Sequence, residues 1–273
     1  MRINTNAAAM NTLRVLAGTE QSITRSIGRL SSGFRINRAA DDAAGLAIAN
    51  QLRADLGAMR QATRNAEQAN ALIQVTEGGA DGIQRILSRM KELISQAMSD
   101  TVDDNGRARI DTEFTGLLAE VDRIANSTEF SGTALLDGTA ATLNFIVGAS
   151  STVANDTISF TAFDLTATTL TVDTIDVTDT TAAQANFDAV DAAITAVSDV
   201  FAELGAAQNR LDIALTQVRI TVENTAAAES VIRDADMAAE FTELTKNQIL
   251  QQAGTAVLAQ ANASAQSILA LLQ

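Results

Sequence analysis

Two long apolar stripes, which repeat with alternating spacings of three and four residues, constrain the fold of this chain most strongly. They run over 52–97 and 187–232. A sustained 3.5-residue period is typical of helices that supercoil around one another. The stripes therefore predict two long helices, and the long connection between them favours antiparallel pairing. The polar exceptions are Thr76 in the first stripe and Gln208, Thr225 and Glu229 in the second.

The composition agrees with long helices, because the 273 residues include no proline, the strongest helix breaker. Cysteine, histidine, tryptophan and tyrosine are also absent. Disulfides, thiol or histidine catalysis and ordinary zinc sites are therefore excluded, and we expect no cofactor and no enzyme activity. A metal site built from carboxylates alone stays possible. The paired carboxylates Asp41-Asp42 and Asp103-Asp104 are interpreted as a helix cap and part of a turn over 103–106.

The charge is strongly acidic, with 33 acidic and 19 basic side chains and a net charge of −14. This balance argues against a nucleic-acid partner, which requires a basic surface. The charge is also uneven, since residues 1–60 carry eight arginines and four acids, whereas 187–273 carry four basic and eleven acidic side chains. Opposite charge at the two ends favours their association in antiparallel register.

The connection between the stripes predicts a third helix and a small β insert. Apolar residues at helical spacing over 114–124 indicate the helix. The tract 133–186 is rich in threonine, and its alternating apolar residues predict short strands. They are Leu143, Phe145 and Val147, then Ile158 and Phe160, then Leu170 and Val172, with a hairpin turn predicted at 153–156.

The two ends of the chain carry weaker amphipathic helices. Their stripes hold mostly small residues, so they bury too little in a monomer to offset the entropy of ordering. We expect them to order against each other and against neighbouring subunits, although a self-contained helical bundle has the same periodicity. The candidate subunit-assembly residues are Met10, Leu13, Ile23, Ile27, Leu30, Phe34, Phe241, Leu244, Val257, Ile268, Leu269 and Leu272.

The expected fold is mainly α, a long antiparallel helical, coiled-coil rod with paired terminal helices and a small β-rich insert. No segment reaches the ~18 apolar residues of a membrane span, so no membrane insertion is expected. The start of the chain lacks a secretory signal, which indicates the cytoplasm or an export route without a cleaved signal. The expected divisions are an N-terminal assembly arm 1–40 that pairs with a C-terminal arm 238–273, rod segments 41–138 and 187–237, and the insert 139–186.

Several motifs resemble bacterial flagellin. The longest are Arg29-Leu-Ser-Ser-Gly-Phe-Arg-Ile-Asn37 and Asp41-Asp-Ala-Ala-Gly-Leu-Ala-Ile-Ala-Asn50. Others follow in family order, and together the resemblance covers about 1–138 and 187–273. They are Ile3-Asn-Thr-Asn6, Arg64-Asn-Ala66, Thr76-Glu-Gly78, Asp122-Arg123, Phe130-Ser-Gly132, Arg233-Asp-Ala-Asp236, Gln260-Ala-Asn262 and Ile268-Leu-Ala-Leu-Leu272.

The resemblance implies a structural subunit that self-assembles into the helical homopolymer of the flagellar filament for swimming. It also implies secretion through the flagellar type III export apparatus with an export chaperone, and contacts with hook-associated and cap proteins. In animal-associated relatives an innate immune receptor reads the rod, and Arg89, Leu93 and Glu113 match positions used for that contact. Ile94 and Ser95 depart from the family there, and a surface or subunit contact is the simpler interpretation.

Two alternatives stay open at this stage. A hook–filament junction protein shares the terminal motifs but occurs in few copies, and the continuous match over 29–50 favours flagellin. A cytoplasmic coiled-coil adaptor has similar heptads but has no need of matching amphipathic ends.

Overall fold

A computed structural model describes residues 6–139, 142–149, 155–178 and 183–270, with the backbone alone for 183 and 265–270. Long helices dominate, and the strands are short and antiparallel, which confirms the predicted mainly α class with a small β insert. The helices are α1 Ala7–Ser32, α2 Ala43–Ala97, α3 Asp104–Ser127, α4 Ala183–Arg233 and α5 Met237–Ala270. The strands are β1 Glu129–Phe130, β2 Thr133–Ala134, β3 Leu143–Ile146 and β4 Thr157–Phe160.

The chain divides into two compact units. The terminal unit comprises Met1–Leu56 and Glu223–Gln273, and the middle unit comprises Gly57–Val222. Within the described ranges, no helix combines the length and the apolarity that a membrane crossing needs.

In the middle unit, α2 and α4 lie antiparallel, as the two stripes predict. Polar pairs between them connect rising numbers on α2 with falling numbers on α4. They are Glu67 with Arg219 at 2.9 Å, Asn70 with Asp212 at 3.4 Å, and Lys91 with Asp191. Because the stripes face each other between these pairs, most of their apolar members there are buried, and Ile194, Phe201 and Val218 are partly buried. Thr76, the buried polar member, donates its hydroxyl to the Leu72 carbonyl.

The third helix begins earlier than its apolar pattern, and the expected turn over 103–106 is wrong. Asp103 is the N-cap of α3, with extended backbone angles, and its carboxylate accepts the Gly106 N–H at 2.8 Å. A capping carboxylate satisfies a free N–H of the first turn, so Asn105 and Gly106 belong to the helix. Further along, Phe114 and Val121 are buried against the other helices.

The insert contains the predicted pairing of β3 with β4, with Leu143 opposite Phe160. The strand expected at Leu170 and Val172 is wrong, because both side chains are buried in a turn closed by bonds from Leu170 N–H to Thr166 O and from Val172 N–H to Ala167 O. The β1–β2 hairpin was not expected. Part of the predicted turn at 153–156 lies outside the described residues.

Gly79 of α2 allows the segment that follows α3 to approach the helix closely. A Cβ at Gly79 would lie 2.7 Å from Leu136 Cδ1 and 2.7 Å from Thr128 Oγ1, whereas a Cβ at Gly78 would meet nothing within 4 Å. Leu136 is fully buried, and Thr128 donates its hydroxyl to the Ile124 carbonyl. Neither neighbour is therefore free to move away.

We expect Gly79→Ala to destabilise the protein and Gly78→Ala to stabilise it. Alanine gains roughly 1 kcal/mol over glycine in a helix, which is the whole effect at Gly78. At Gly79 this gain is opposed by an overpacking cost of roughly 1–3 kcal/mol. Urea unfolding followed by circular dichroism measures the difference. Equal stabilisation by both substitutions would show that the packing at Gly79 is loose.

Candidate assembly surface

Helices α1 and α5 pair antiparallel in the terminal unit. At one end of the pair, the Asn6 side-chain amide donates to the Ala261 carbonyl at 3.1 Å. At the other end, Arg29 lies 3.5 Å from the Glu240 carboxylate. The same Asn6 caps α1 by accepting the Ala9 N–H, so this side chain both starts the helix and connects it to α5.

The seam between α1 and α5 follows heptad spacing but contains little apolar bulk. Thr19, Ser26 and Asn247 are its buried polar residues, and Ala9 is buried beside them. Larger apolar residues of the seam are only half-buried: Leu16, Ile23, Leu30, Leu244 and Leu258. Since the hydrophobic free energy scales with the apolar area removed from water, this seam is weak for helices of its length.

The terminal unit instead leaves large apolar side chains in water. Met10 and Phe241 are each 63% exposed. The other exposed large apolar residues described in this unit are Leu13, Val15, Ile27, Ile48, Val231, Met237, Ile249, Leu250 and Val257. A concentration of exposed apolar side chains is typical of surfaces that interact with other molecules.

The predicted assembly residues differ in how far their side chains are exposed. Met10, Leu13, Ile27, Phe241 and Val257 are exposed, whereas Ile23, Leu30 and Leu244 are half-buried along the seam. The side chains of Ile268 and Leu269, and the whole of Leu272, lie outside the described residues. Val15, Ile249 and Leu250, which the sequence analysis did not select, are exposed as well, and their position off the heptad seam is a usable sequence signal.

Phe34, another predicted assembly residue, is half-buried inside the terminal unit. The Arg233 guanidinium lies 4.1 Å from its ring centroid and that of Arg53 lies 5.9 Å away. The Glu229 carboxylate forms salt bridges with both guanidinium groups, at 3.3 Å to Arg53 and 3.8 Å to Arg233. Gly33, with φ of +76° in the left-handed region, ends α1 and directs the chain into this cluster.

Backbone hydrogen bonds hold the same segment against the α4–α5 junction. Arg35 N–H donates to the Arg233 carbonyl at 2.7 Å, and Ala235 N–H donates to the Gly33 carbonyl at 2.9 Å. The residues that match the flagellin motifs at 29–37 and 233–236 therefore contact each other, although about 200 positions separate them in sequence.

The candidate receptor residues lie in the middle unit. Arg89 donates to Glu113 at 2.8 Å and to Glu92 at 2.9 Å, and these hydrogen bonds raise the pKa of the Arg89 guanidinium. Leu93 is 1% exposed and packs in the core, so among the three only Arg89 and Glu113 present side chains at the surface. A receptor contact at these positions stays a prediction.

The paired carboxylates of the sequence bind backbone N–H groups. Asp42 accepts the Gly45 N–H at 2.9 Å at the start of α2. This contact agrees with the helix cap predicted from the sequence. Asp41 accepts the N–H groups of Asn37 and Arg38. Among the described residues, no three carboxylates cluster in a way that could hold a metal ion.

A chain with one core-rich unit and one unit that has a polar seam and exposed apolar side chains has the features of a class, that of helical subunits completed by association. Comparison with known proteins identifies the family. The bacterial flagellin N-terminal helical region matches residues 3–141, and the bacterial flagellin C-terminal helical region matches residues 187–272. The chain belongs to the flagellin family.

Individual relatives agree with this assignment. A flagellin of Halalkalibacterium halodurans is 42% identical over 273 residues, which cover 100% of each chain. The crystal structure of Bacillus cereus flagellin, 30% identical, superposes with a TM-score of 0.52 over 61% of this chain and 94% of that one. A Vibrio parahaemolyticus structure described as hook-associated shares the fold at 17% identity, with a TM-score of 0.56 over 71% of this chain and 99% of its own.

Proposed function

We propose that this flagellin is the repeating structural subunit of a flagellar filament, and that its terminal unit provides the contacts between subunits. Membership of the flagellin family supports a structural role in the filament. The observation that carries the mechanism is the exposed apolar surface of α1 and α5 beside a seam that buries little apolar area.

The free energy of burying these apolar side chains favours contacts with neighbouring copies of the chain. Fully burying one large aliphatic or aromatic side chain is worth roughly 1.5–3 kcal/mol. Burying several of the exposed residues, among them Met10, Leu13, Phe241 and Val257, therefore offsets an association cost of roughly 4–15 kcal/mol. In a filament each subunit contacts several copies, so the same residues act cooperatively.

The divisions of the chain acquire roles in this proposal. The arms 1–40 and 238–273 form the inner contacts of the filament, and 41–138 with 187–237 form the layer around them. The insert 139–186 faces solvent. The pairing of α1 with α5 through a seam that buries little apolar area supports this assignment of the arms.

The family also supports an extracellular filament as the location. Secretion through the flagellar type III export apparatus, with an export chaperone and with hook-associated and cap proteins at the growing end, is part of the proposal. A chain without proline suits such a route, because no slow X-Pro isomerisation delays refolding after export. The proposal requires no catalytic residue.

Electron microscopy after heat depolymerisation and salt-induced reassembly tests the proposed function. We expect the purified chain to form long uniform tubes, because salt strengthens the burial of apolar surface and screens the net charge of −14. Persistent monomers or discrete oligomers would overturn the proposal. Copy number per flagellum separates a filament subunit from a junction protein, and a purely cytosolic location would favour an adaptor.

A further inference from the structure

An arginine-lined pocket lies in the terminal unit, between the second half of α1 and the segment 37–41. Its volume is about 280 Å³. Its walls include Arg25, Gly28 and Arg29 of α1, with Arg38 and Asp41 opposite. We call it the arginine pocket.

The arginine pocket holds more positive than negative charge. Arg29 pairs with Glu240 at 3.5 Å, and Arg25 donates to the Ser22 hydroxyl at 3.3 Å but forms no salt bridge among the described residues. Arg25 also lines a neighbouring groove with Glu243, whose carboxylate is paired with Lys246 at 3.2 Å. The Arg38 guanidinium forms no salt bridge within the described residues. The Asp41 carboxylate accepts the Arg38 N–H at 2.9 Å, and this bond, with that from Asn37 and the nearby arginines, lowers its pKa. Asp41 therefore stays ionised at neutral pH but balances only one of the two remaining guanidinium charges.

The chemistry of the pocket selects a planar anion. Guanidinium groups bind carboxylates through pairs of parallel N–H bonds, and Arg25 and Arg38 enter the pocket from different segments. The wall is open at Gly28, where a Cβ would meet nothing within 4 Å. A carboxylate side chain fits this opening.

The position of the pocket indicates where such a carboxylate comes from. Ile27, 51% exposed, directly precedes Gly28, so the pocket adjoins the apolar surface assigned to subunit contacts. The chain has 33 acidic side chains for 19 basic ones, and Glu20 and Glu223 of the terminal unit form no salt bridge among the described residues. Charge complementarity and continuity with the assembly surface both favour another copy of the same chain.

We propose that the arginine pocket receives a carboxylate from a second copy of this chain and thereby sets the register between neighbouring subunits. The proposal rests on the proposed function, since it concerns the same assembly surface. Apolar contacts are non-directional, and a bidentate charged anchor within them supplies the geometric specificity that they lack.

The test measures the critical concentration for filament assembly by sedimentation. One variant, Arg25→Gln with Arg38→Gln, removes the charge, and a second, Gly28→Leu, fills the opening without changing any charge. Arg14→Gln with Arg60→Gln, which removes the same number of charges, and Gly18→Leu are the matched controls outside the pocket. We expect each pocket variant to raise the critical concentration about tenfold above its control, and the difference for the arginine variant to shrink in high salt.

The outcomes separate this inference from the proposed function. Absence of filaments from the unmodified chain contradicts the proposed function. Normal filaments with equal critical concentrations for pocket and control variants overturn only the pocket. In a third outcome, inorganic phosphate at constant ionic strength promotes assembly of the unmodified chain but not of the arginine variant. This result identifies a free anion as the occupant and overturns the proposal that a second copy supplies the carboxylate. Circular dichroism of each monomer confirms that α1 is intact.

Discussion

Deletion of residues 1–30 or of 245–273 is expected to abolish filament formation and to leave a folded middle unit. Each deletion removes one partner of the α1–α5 pair together with exposed apolar residues, among them Met10 or Val257. The core of the middle unit, over 57–222, lies outside both deletions. Assembly therefore loses its contacts while the main hydrophobic core persists.

The measurement pairs electron microscopy with thermal unfolding of each truncated chain. The full chain, taken through the same depolymerisation and reassembly cycle, is the control. We expect no filaments at concentrations about a hundredfold above the critical concentration of the full chain, and a cooperative unfolding transition from the fragment. Unaltered filaments from either truncation would refute the assigned role of the arms.

Phe241→Asp is expected to prevent assembly without destabilising the monomer. The ring is 63% exposed in the isolated chain, so its replacement changes the free energy of unfolding by only about 0.5 kcal/mol or less. In a subunit contact the new carboxylate would be buried without a partner, which costs several kcal/mol. At 1.4 kcal/mol per tenfold, about 3 kcal/mol raises the critical concentration roughly a hundredfold.

Two further variants serve as controls for Phe241→Asp. Met98→Asp places the same charge at an apolar residue of the middle unit that is 39% exposed, and we expect a far smaller effect on assembly. Leu244→Asp changes a half-buried residue of the α1–α5 seam, so it is expected to lower the helicity of the monomer itself. If Phe241→Asp lowers monomer helicity as much as Leu244→Asp, Phe241 belongs to the seam and not to a subunit contact.

Much of the helical architecture could be predicted from the sequence because it depends on local periodicity. The stripes over 52–97 and 187–232 lie within α2 and α4, and their antiparallel pairing is seen in contacts such as that of Glu67 with Arg219. The β3–β4 pairing was also accessible, since alternation of apolar residues is a local property. The start of α3 was not, because Asp103 is equally suited to a turn and to an N-cap.

Burial that depends on distant residues could not be predicted. Leu170 and Val172 alternate like a strand, yet both are buried in a turn that packs into the middle-unit core. The requirement for glycine at position 79 arises from Leu136 and Thr128, which follow α3 and are brought to α2 only by tertiary folding. No pattern within α2 distinguishes Gly79 from Gly78.

By itself, the sequence determined the position and type of the main helices and the family, because apolar period, proline content and motifs are properties of the linear chain. Only the tertiary structure decided which apolar residues of α1 and α5 are left for other subunits. An amphipathic pattern marks every apolar position alike, and the antiparallel seam then covers Leu30 and Leu244 in part while leaving Met10 and Phe241 in water. The same folding brings Arg25 and Arg38 to one pocket.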